Sequence, residues 1–149
     1  MDKPLNLDVL WGGYYASIPK DESSTDERGI SVFRLLDFTQ DVYHAALYGE
    51  TFTTMPVLDD LVALVPWLGH APIALDSLLN GDDIQLIGGK PLTLDDLEGY
   101  LYYLEDFGVA EAERNALVQR LLTFSQHKAP TKLRLELVDN ALQITERNT

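Results

Sequence analysis

Residues 90–108 constrain the fold of this chain more than any other stretch, because they encode a helix that needs a partner. Thr93 stands where an N-cap is expected, and Asp96 follows at the capping-box spacing. Asp95 adds negative charge near the positive end of the helix dipole, and Gly108 is typical of the residue just beyond a helix. The apolar residues recur at helical spacing and share one stripe, which the rest of the chain is expected to cover: Leu94, Leu97, Leu101, Leu104 and Phe107.

The N-terminal third is predicted to form strands joined by a polar loop. Residues 5–17 are rich in aromatic and β-branched side chains, and they are interrupted by Gly12-Gly13. Paired glycines within a strand indicate a bulge or a close backbone approach. The alternative is a phosphate-binding loop, but the glycine spacings typical of such loops are missing. Residues 19–29 are polar and are predicted to form a loop.

Two further segments are predicted to be strands. Residues 30–38 carry apolar groups at both odd and even positions, which is typical of a central strand buried on both faces. Residues 41–52 are ambiguous, because Asp41 could cap a helix and Gly49 could end one. Their aromatic and β-branched content favours a strand.

The middle of the chain is predicted to form short helices and a strand, separated by residues typical of turns. Pro56 is predicted as the first residue of a short helix that ends before Pro66. Residues 67–72 are predicted as a compact turn and residues 73–79 as a short helix, closed by Asn80-Gly81. Residues 84–87 are a predicted strand.

The C-terminal third predicts a helix over residues 109–124 and then a β-hairpin. Residues 132–138 alternate apolar and charged side chains, and residues 141–145 return with Leu142 and Ile144 on one face. The predicted fold over residues 1–149 is therefore a single α+β domain, with a mostly antiparallel sheet and helices packed on one side.

The charge of the chain disfavours several classes of function. The chain has 24 acidic and 11 basic residues, and its net charge is −13. Residues 35–89 contain no Lys or Arg. Binding to nucleic acid or to anionic lipid needs clustered basic residues and is disfavoured. A basic protein partner is compatible with this charge, and so is a charge that serves solubility alone.

The chain contains no cysteine, so it forms no disulfide and has no thiolate site. The first residues lack the basic start and apolar run of a signal peptide. No apolar run approaches the ~18 residues of a membrane span. We therefore expect a soluble cytoplasmic protein.

Motifs for catalysis or for metal and cofactor binding are missing from the sequence. His44 lies in a predicted strand, His127 near a helix end, and His70 in a predicted turn, which makes His70 the better functional candidate. The spacings do not match histidine-based metal sites, and the acidic pairs do not fit a calcium-binding loop. We predict no catalytic residues, no metal and no cofactor.

Aromatic residues offer a second kind of candidate. Tyr100, Tyr102 and Tyr103 cannot all face the core from one helix, and Tyr102 is predicted to be the most exposed of the three. Exposed tyrosine beside acidic residues is favoured at protein interfaces. Trp11 and Trp67 are predicted to lie in the core or at its edge.

The leading hypothesis is a non-enzymatic protein-binding module, for example an immunity- or inhibitor-type protein that neutralises a more basic partner. A second hypothesis is a small enzyme or ligand-binding domain with a pocket near Trp67 and His70, with Asp76 as its acid. A third is a structural subunit that forms homo-oligomers through the edge at residues 132–145. The leading hypothesis assigns partner binding to one set of residues: Asp59, Asp60, Asp76, Asp82, Asp83 and Tyr102.

Overall fold

The predicted first strand divides at Gly12 into two strands that belong to different sheets. The computed structural model describes residues 5–18, 29–39, 42–74, 83–126, 130–139 and 141–146. It contains β1 (Leu5–Val9) and β2 (Gly13–Ile18), with a tight turn between them. Gly12 has φ +81°, and a Cβ there would lie 2.3 Å from the carbonyl oxygen of Lys90. The close backbone approach predicted from the paired glycines is confirmed, whereas the single continuous strand was wrong.

The larger sheet is antiparallel and contains β2 and four further strands, β3 (Ile30–Thr39), β4 (Val42–Phe52), β5 (Leu68–Ala74) and β6 (Asp83–Gly89). The strand order is β5-β4-β3-β2-β6. The central strand β3 is buried on both faces, as the sequence predicted for residues 30–38. Residues 42–52 form a strand and not a helix, because they pair along nearly their whole length with β3.

The smaller sheet has strand order β1-β7-β8 and consists of the N-terminal strand and the C-terminal hairpin. The hairpin is confirmed as β7 (Thr131–Val138) and β8 (Ala141–Glu146). This sheet packs face to face on the larger one. Buried side chains from both sheets share one core: Leu7, Val9 and Leu135 from the smaller sheet, and Tyr15, Phe33, Leu35, Tyr43 and Ala45 from the larger sheet.

Helices cover the opposite face of the larger sheet, which confirms the predicted α+β fold. The described helices are α1 (Leu58–Leu61), α2 (Leu94–Asp106) and α3 (Glu111–Phe124). In α2 the capping box forms as predicted, because the Thr93 Oγ1 accepts from the Asp96 amide at 3.3 Å and the Asp96 Oδ2 accepts from the Thr93 amide at 2.9 Å.

The buried stripe of α2 differs from the predicted one. Leu97 and Tyr100 are buried, but Leu94 is exposed and Phe107 is 72 % exposed. The stripe is therefore shorter than the apolar pattern indicated, because the apolar side chains at the two ends of the helix face solvent. None of the described helices is long and apolar enough to cross a membrane.

Two predictions for the middle of the chain were wrong. Residues 67–72 are not a turn, since β5 begins at Leu68 and pairs with β4. Strand pairing outweighs the local Gly and Pro signals there, and Pro72 is tolerated because β5 is an edge strand. The helix α1 is capped at Val57 and not started by Pro56, and it ends at Leu61.

The helix predicted at residues 73–79 was wrong at its start, where Ile73 and Ala74 belong to β5. The rest of that segment lies outside the described residues, as do the Asn80-Gly81 turn and nearly all of the loop predicted at residues 19–29.

Candidate functional site

The helix α2 lies unusually close to the edge strand β5. A Cβ added to Gly99 on α2 would lie 2.9 Å from the carbonyl carbon of Gly69 on β5, nearer than real side chains approach. Glycine at position 99 therefore lets helix backbone touch strand backbone. This contact sets the distance between helix and sheet.

A buried arginine fixes the N-terminal end of α2. Arg34 on β3 is 2 % exposed, and its Nη1 lies 3.0 Å from the Oδ1 of Asp96. Its Nε donates to the carbonyl of Gly12 at 3.1 Å and its Nη2 to the carbonyl of Lys90 at 2.9 Å. Asp96 thus caps α2 with one oxygen and binds the arginine with the other. The buried charge is paired and hydrogen-bonded.

A cleft of about 540 Å³ lies between the N-terminal half of α2 and strands β4 and β5. Its volume is within the range of pockets that take ligands or peptide segments. Three carboxylates line it against one guanidinium, and that guanidinium is paired with Asp96. The cleft is therefore negatively charged. Its lining residues are Arg34, Leu36, Ala46, Tyr48, Val65, Pro66, Gly69, Asp95, Asp96, Glu98, Gly99 and Tyr102.

Two exposed side chains line this cleft. Tyr102 is 61 % exposed, and Val65 is more exposed still. Trp67 follows Pro66 in the chain and is 68 % exposed, but it does not line the cleft. Exposed Trp and Tyr are the side chains that most often carry binding energy at protein interfaces.

A second hollow of about 340 Å³ lies on the other side of Tyr102. It shares Asp95, Glu98 and Tyr102 with the cleft, and it adds Glu105 and Arg114. Tyr102 therefore stands between two hollows, with carboxylates beside it in both.

Beneath α2, two histidines form a pair. The Nδ1 of His44 on β4 lies 2.9 Å from the Nε2 of His70 on β5, within hydrogen-bonding distance. One of these nitrogens must donate and the other accept. The His70 ring stacks on Tyr100 with centroids 5.0 Å apart and packs against Tyr103 at 4.3 Å.

Asp37 anchors the same cluster from β3. It is buried, and its Oδ2 accepts from the hydroxyl of Tyr100 at 2.8 Å. Its Oδ1 accepts from the indole nitrogen of Trp11 at 3.1 Å and from the amide of Phe38 at 2.8 Å. Burial and the nearby carboxylate of Asp37 raise the pKa of Tyr100, so its hydroxyl stays protonated as a donor.

Burial also keeps both histidines neutral. Burial, together with the neighbouring His44, lowers the pKa of His70 to about 4. Burial lowers the pKa of His44 as well, although the carboxylate of Asp37 opposes this shift. At neutral pH the pair is therefore an uncharged hydrogen-bonded unit between sheet and helix.

The structure does not gather the acidic residues that the sequence analysis selected. Asp59 and Asp60 are exposed on α1, where the Asp60 Oδ2 accepts from the amide of Val57 at 3.0 Å. Asp83 is exposed at the start of β6. None of these three lines the cleft, while Asp76 and Asp82 lie outside the described residues. Of the members of that set that the structure describes, only Tyr102 lies at the cleft.

The pocket predicted around Trp67 and His70 takes a different form. The prediction that Trp67 lies in the core or at its edge was wrong, because its side chain is exposed beside Gly49. His70 instead faces His44 and the tyrosines of α2. Asp76, the proposed acid of that pocket, and His127 lie outside the described residues.

Sequence reasoning missed Asp95 and Glu98, although a signal for them exists. Asp95, Glu98 and Tyr102 are spaced as residues on one face of a helix. Asp95 was interpreted only as part of the helix start. The partners of Arg34 and Asp37 had no local signal, because they come from distant parts of the chain.

Among the described residues, no group of three His, Asp or Glu side chains is placed to hold a metal ion. Compared with protein-family models, with curated proteins and with solved structures, the chain matches none.

Proposed function

We propose that this chain is a non-enzymatic protein-binding module that grips a basic segment of its partner in the cleft beside α2. The observation that carries the proposal is the combination of carboxylates and an exposed aromatic ring at one cleft. Asp95 and Glu98 supply negative charge, and Tyr102 supplies an exposed ring next to them.

This combination favours a cationic side chain over other occupants. An arginine or lysine side chain can pair with carboxylates through its charge and lie against a tyrosine ring through its flat or methylene surface. The Tyr48 ring provides a second aromatic wall. The cleft volume of about 540 Å³ leaves room for the residues on either side of that cation.

The charge of the whole chain supports the same kind of partner. A net charge of −13 attracts basic proteins over a distance and accelerates their association at low salt. An inhibitor- or immunity-type protein that covers a basic site on its partner would use such a surface. Association of this kind weakens as salt is added.

The proposal is tested by NMR titration of the isotope-labelled protein with N-acetyl-arginine amide. We expect shift changes at Gly69, Gly99 and Tyr102, with a dissociation constant on the order of 1–10 mM, because one side chain supplies only a few contacts. N-acetyl-citrulline amide has nearly the same shape without the charge and serves as the control. Equal shifts with both compounds, or none with either, would contradict the proposal.

Variants locate the binding site. Glu98→Gln keeps the size of the side chain and removes one charge of the cleft, and Tyr102→Ala removes the exposed ring. We expect each to weaken binding of an octa-arginine peptide by about tenfold, which corresponds to ~1.4 kcal/mol. Asp59→Asn removes one charge on α1, outside the cleft, and is expected to change affinity less than about twofold. If Asp59→Asn weakens binding as much as Glu98→Gln, overall charge and not the cleft governs recognition.

A further inference from the structure

We propose that the His44–His70 pair is an acid-sensitive latch that holds α2 against β5 and thereby regulates the cleft. The inference rests on the proposed function of the cleft as the binding site, and it adds control of that site by pH. It follows from the position of the pair between the sheet and the helix.

The pair is joined to the walls of the cleft through the backbone. Gly69 lines the cleft and is followed in sequence by His70, while Gly99 lines it and is followed by Tyr100. The His70 and Tyr100 rings stack at 5.0 Å, directly beside the backbone contact of the two glycines. A displacement of the stacked rings therefore moves both walls of the cleft.

The hydrogen bond between the two histidines can exist in only some protonation states. With both rings neutral, one of the facing nitrogens of His44 and His70 carries the proton and the other accepts it. One added proton leaves a charged pair in a largely buried place, which is unfavourable. A second added proton puts hydrogen on both facing nitrogens, which lie 2.9 Å apart, so the bond breaks.

Burial opposes such a charge more strongly than the resolved charges around the pair favour it. Burial is the largest influence on both histidines and lowers the pKa of each, to about 4 for His70. The carboxylate of Asp37 favours protonation of His44, but it already accepts three hydrogen bonds. Among the described residues, the titratable and charged groups seen to act on the pair or on the tyrosines stacked against it are Asp37 on β3, Tyr100 and Tyr103 on α2, and Arg120 on α3, which acts on the Tyr100 hydroxyl.

The direction of the pH effect follows from these shifts. An unfolded histidine has a pKa of about 6.5, so between pH ~6.5 and ~4 the unfolded state binds more protons than the folded one. Stability from the neutral pair is complete above pH ~6.5 and is lost as the pH falls towards ~4. Acid therefore loosens α2, which carries Asp95, Glu98 and Tyr102 of the cleft.

Amide hydrogen exchange tests whether the His44–His70 pair holds α2 in place, and it needs no binding partner. We expect the amide exchange rates of α2, corrected for the intrinsic effect of pH, to rise about tenfold more between pH 7 and pH 5 than those of the central strand β3. A rise of equal size in α2 and β3 would mean global destabilisation, and no rise would mean that the pair does not hold the helix. Either result overturns the proposal.

The double variant His44→Asn with His70→Gln removes both titratable rings and keeps every carboxyl group of the chain. We expect it to lose the pH dependence of α2 exchange, while His127→Gln keeps it. If the double variant does not fold, the wild-type histidine side chains are titrated by NMR. Two histidine pKa values well below 6.5 support the latch, and ordinary values for all three histidines overturn it.

Binding of N-acetyl-arginine amide at pH 7 and pH 4 separates the two proposals, because this probe does not titrate in that range, whereas the pKa of His70 in the folded protein is about 4. The double variant, which keeps every carboxyl group, is the control for other effects of acid. Binding that weakens at least about twofold more in wild type than in the double variant supports regulation of the cleft. An equal change in both proteins overturns the latch and leaves the binding site intact. If the probe fails to bind at either pH while α2 still loosens in acid, the proposed function fails, and regulation of the cleft fails with it.

Discussion

Two glycines that face each other across the α2–β5 contact are not equivalent. A Cβ on Gly99 would lie 2.9 Å from the backbone of Gly69, whereas a Cβ on Gly69 would lie 3.7 Å from the nearest atom of Gly99. The first distance is a clash and the second is ordinary contact. The helix position, and not the strand position, therefore requires glycine.

This asymmetry predicts that Gly→Ala affects stability differently at the two positions. In a helix interior, Gly→Ala normally stabilises by about 0.5–1 kcal/mol, but Gly99→Ala is expected to destabilise by about 1–3 kcal/mol because it pushes α2 off β5. Gly69→Ala is the matched control and is expected to change the free energy of unfolding by less than about 1 kcal/mol. Urea unfolding measures both. If Gly99→Ala stabilises the protein, the close contact is not a constraint.

Among single charged residues, we expect the loss of Arg34 to lower the free energy of unfolding most. Arg34→Met removes the guanidinium that pairs with the Asp96 Oδ1 and donates to the carbonyls of Gly12 and Lys90, and we expect a loss of about 3–5 kcal/mol. Arg34→Lys should recover little, because an ammonium group cannot reach these acceptors as the planar guanidinium does.

The control for this loss is Arg134→Met on β7. Arg134 is exposed and its Nη2 lies 3.8 Å from Glu136, so its loss is expected to cost less than about 1 kcal/mol. Thermal unfolding of the three variants at equal ionic strength ranks them. Similar costs for Arg34→Met and Arg134→Met would refute a structural role for the buried pair.

At the scale of single elements, α2 was predictable and β5 was not. The signals for α2 are local: a capping residue, an apolar spacing and a terminal glycine. The signals in β5 are also local, but Gly69 and Pro72 indicate a turn, and the strand exists only because β4 pairs with it. An element that forms only because a distant segment pairs with it cannot be predicted from local sequence signals.

The capping box of α2 gives a direct test of its local stability. Thr93→Ala removes the side chain that accepts from the amide of Asp96, and we expect it to cost about 1 kcal/mol. Thr123→Ala on α3 is the matched control, because the Thr123 hydroxyl bonds only to the Gln119 carbonyl of its own helix at 2.9 Å. Circular dichroism during urea unfolding compares the two variants, and equal midpoints would argue against the cap.

At the scale of the whole molecule, the fold class was predictable and the division into two sheets was not. Alternating and fully apolar strands and two amphipathic helices are sufficient to predict an α+β fold. The turn at Gly12 sends β1 to a separate sheet, and its need for glycine arises from Lys90, far away in the chain. The cleft was missed for the same reason, because its walls come from distant segments.

The shared core between the sheets predicts that they unfold together. Leu7 on β1 is buried against side chains of the larger sheet, so Leu7→Ala is expected to cost about 2–5 kcal/mol and to shift the whole transition. Far-UV and near-UV circular dichroism should give coincident unfolding curves. Leu94→Ala, at an exposed position, should change stability by less than about 0.5 kcal/mol. Separate transitions in the two signals would show that the sheets unfold independently.

Trp67 leaves the protein with an intrinsic optical probe on its exposed surface. Its indole is 68 % exposed and lies beside Gly49, so it emits as a solvated fluorophore. Trp11, in contrast, donates through its indole nitrogen to Asp37 in the interior. A partner protein that covers Trp67 would exclude water from the indole and shift the emission towards shorter wavelengths, so association can be followed in solution without any attached dye.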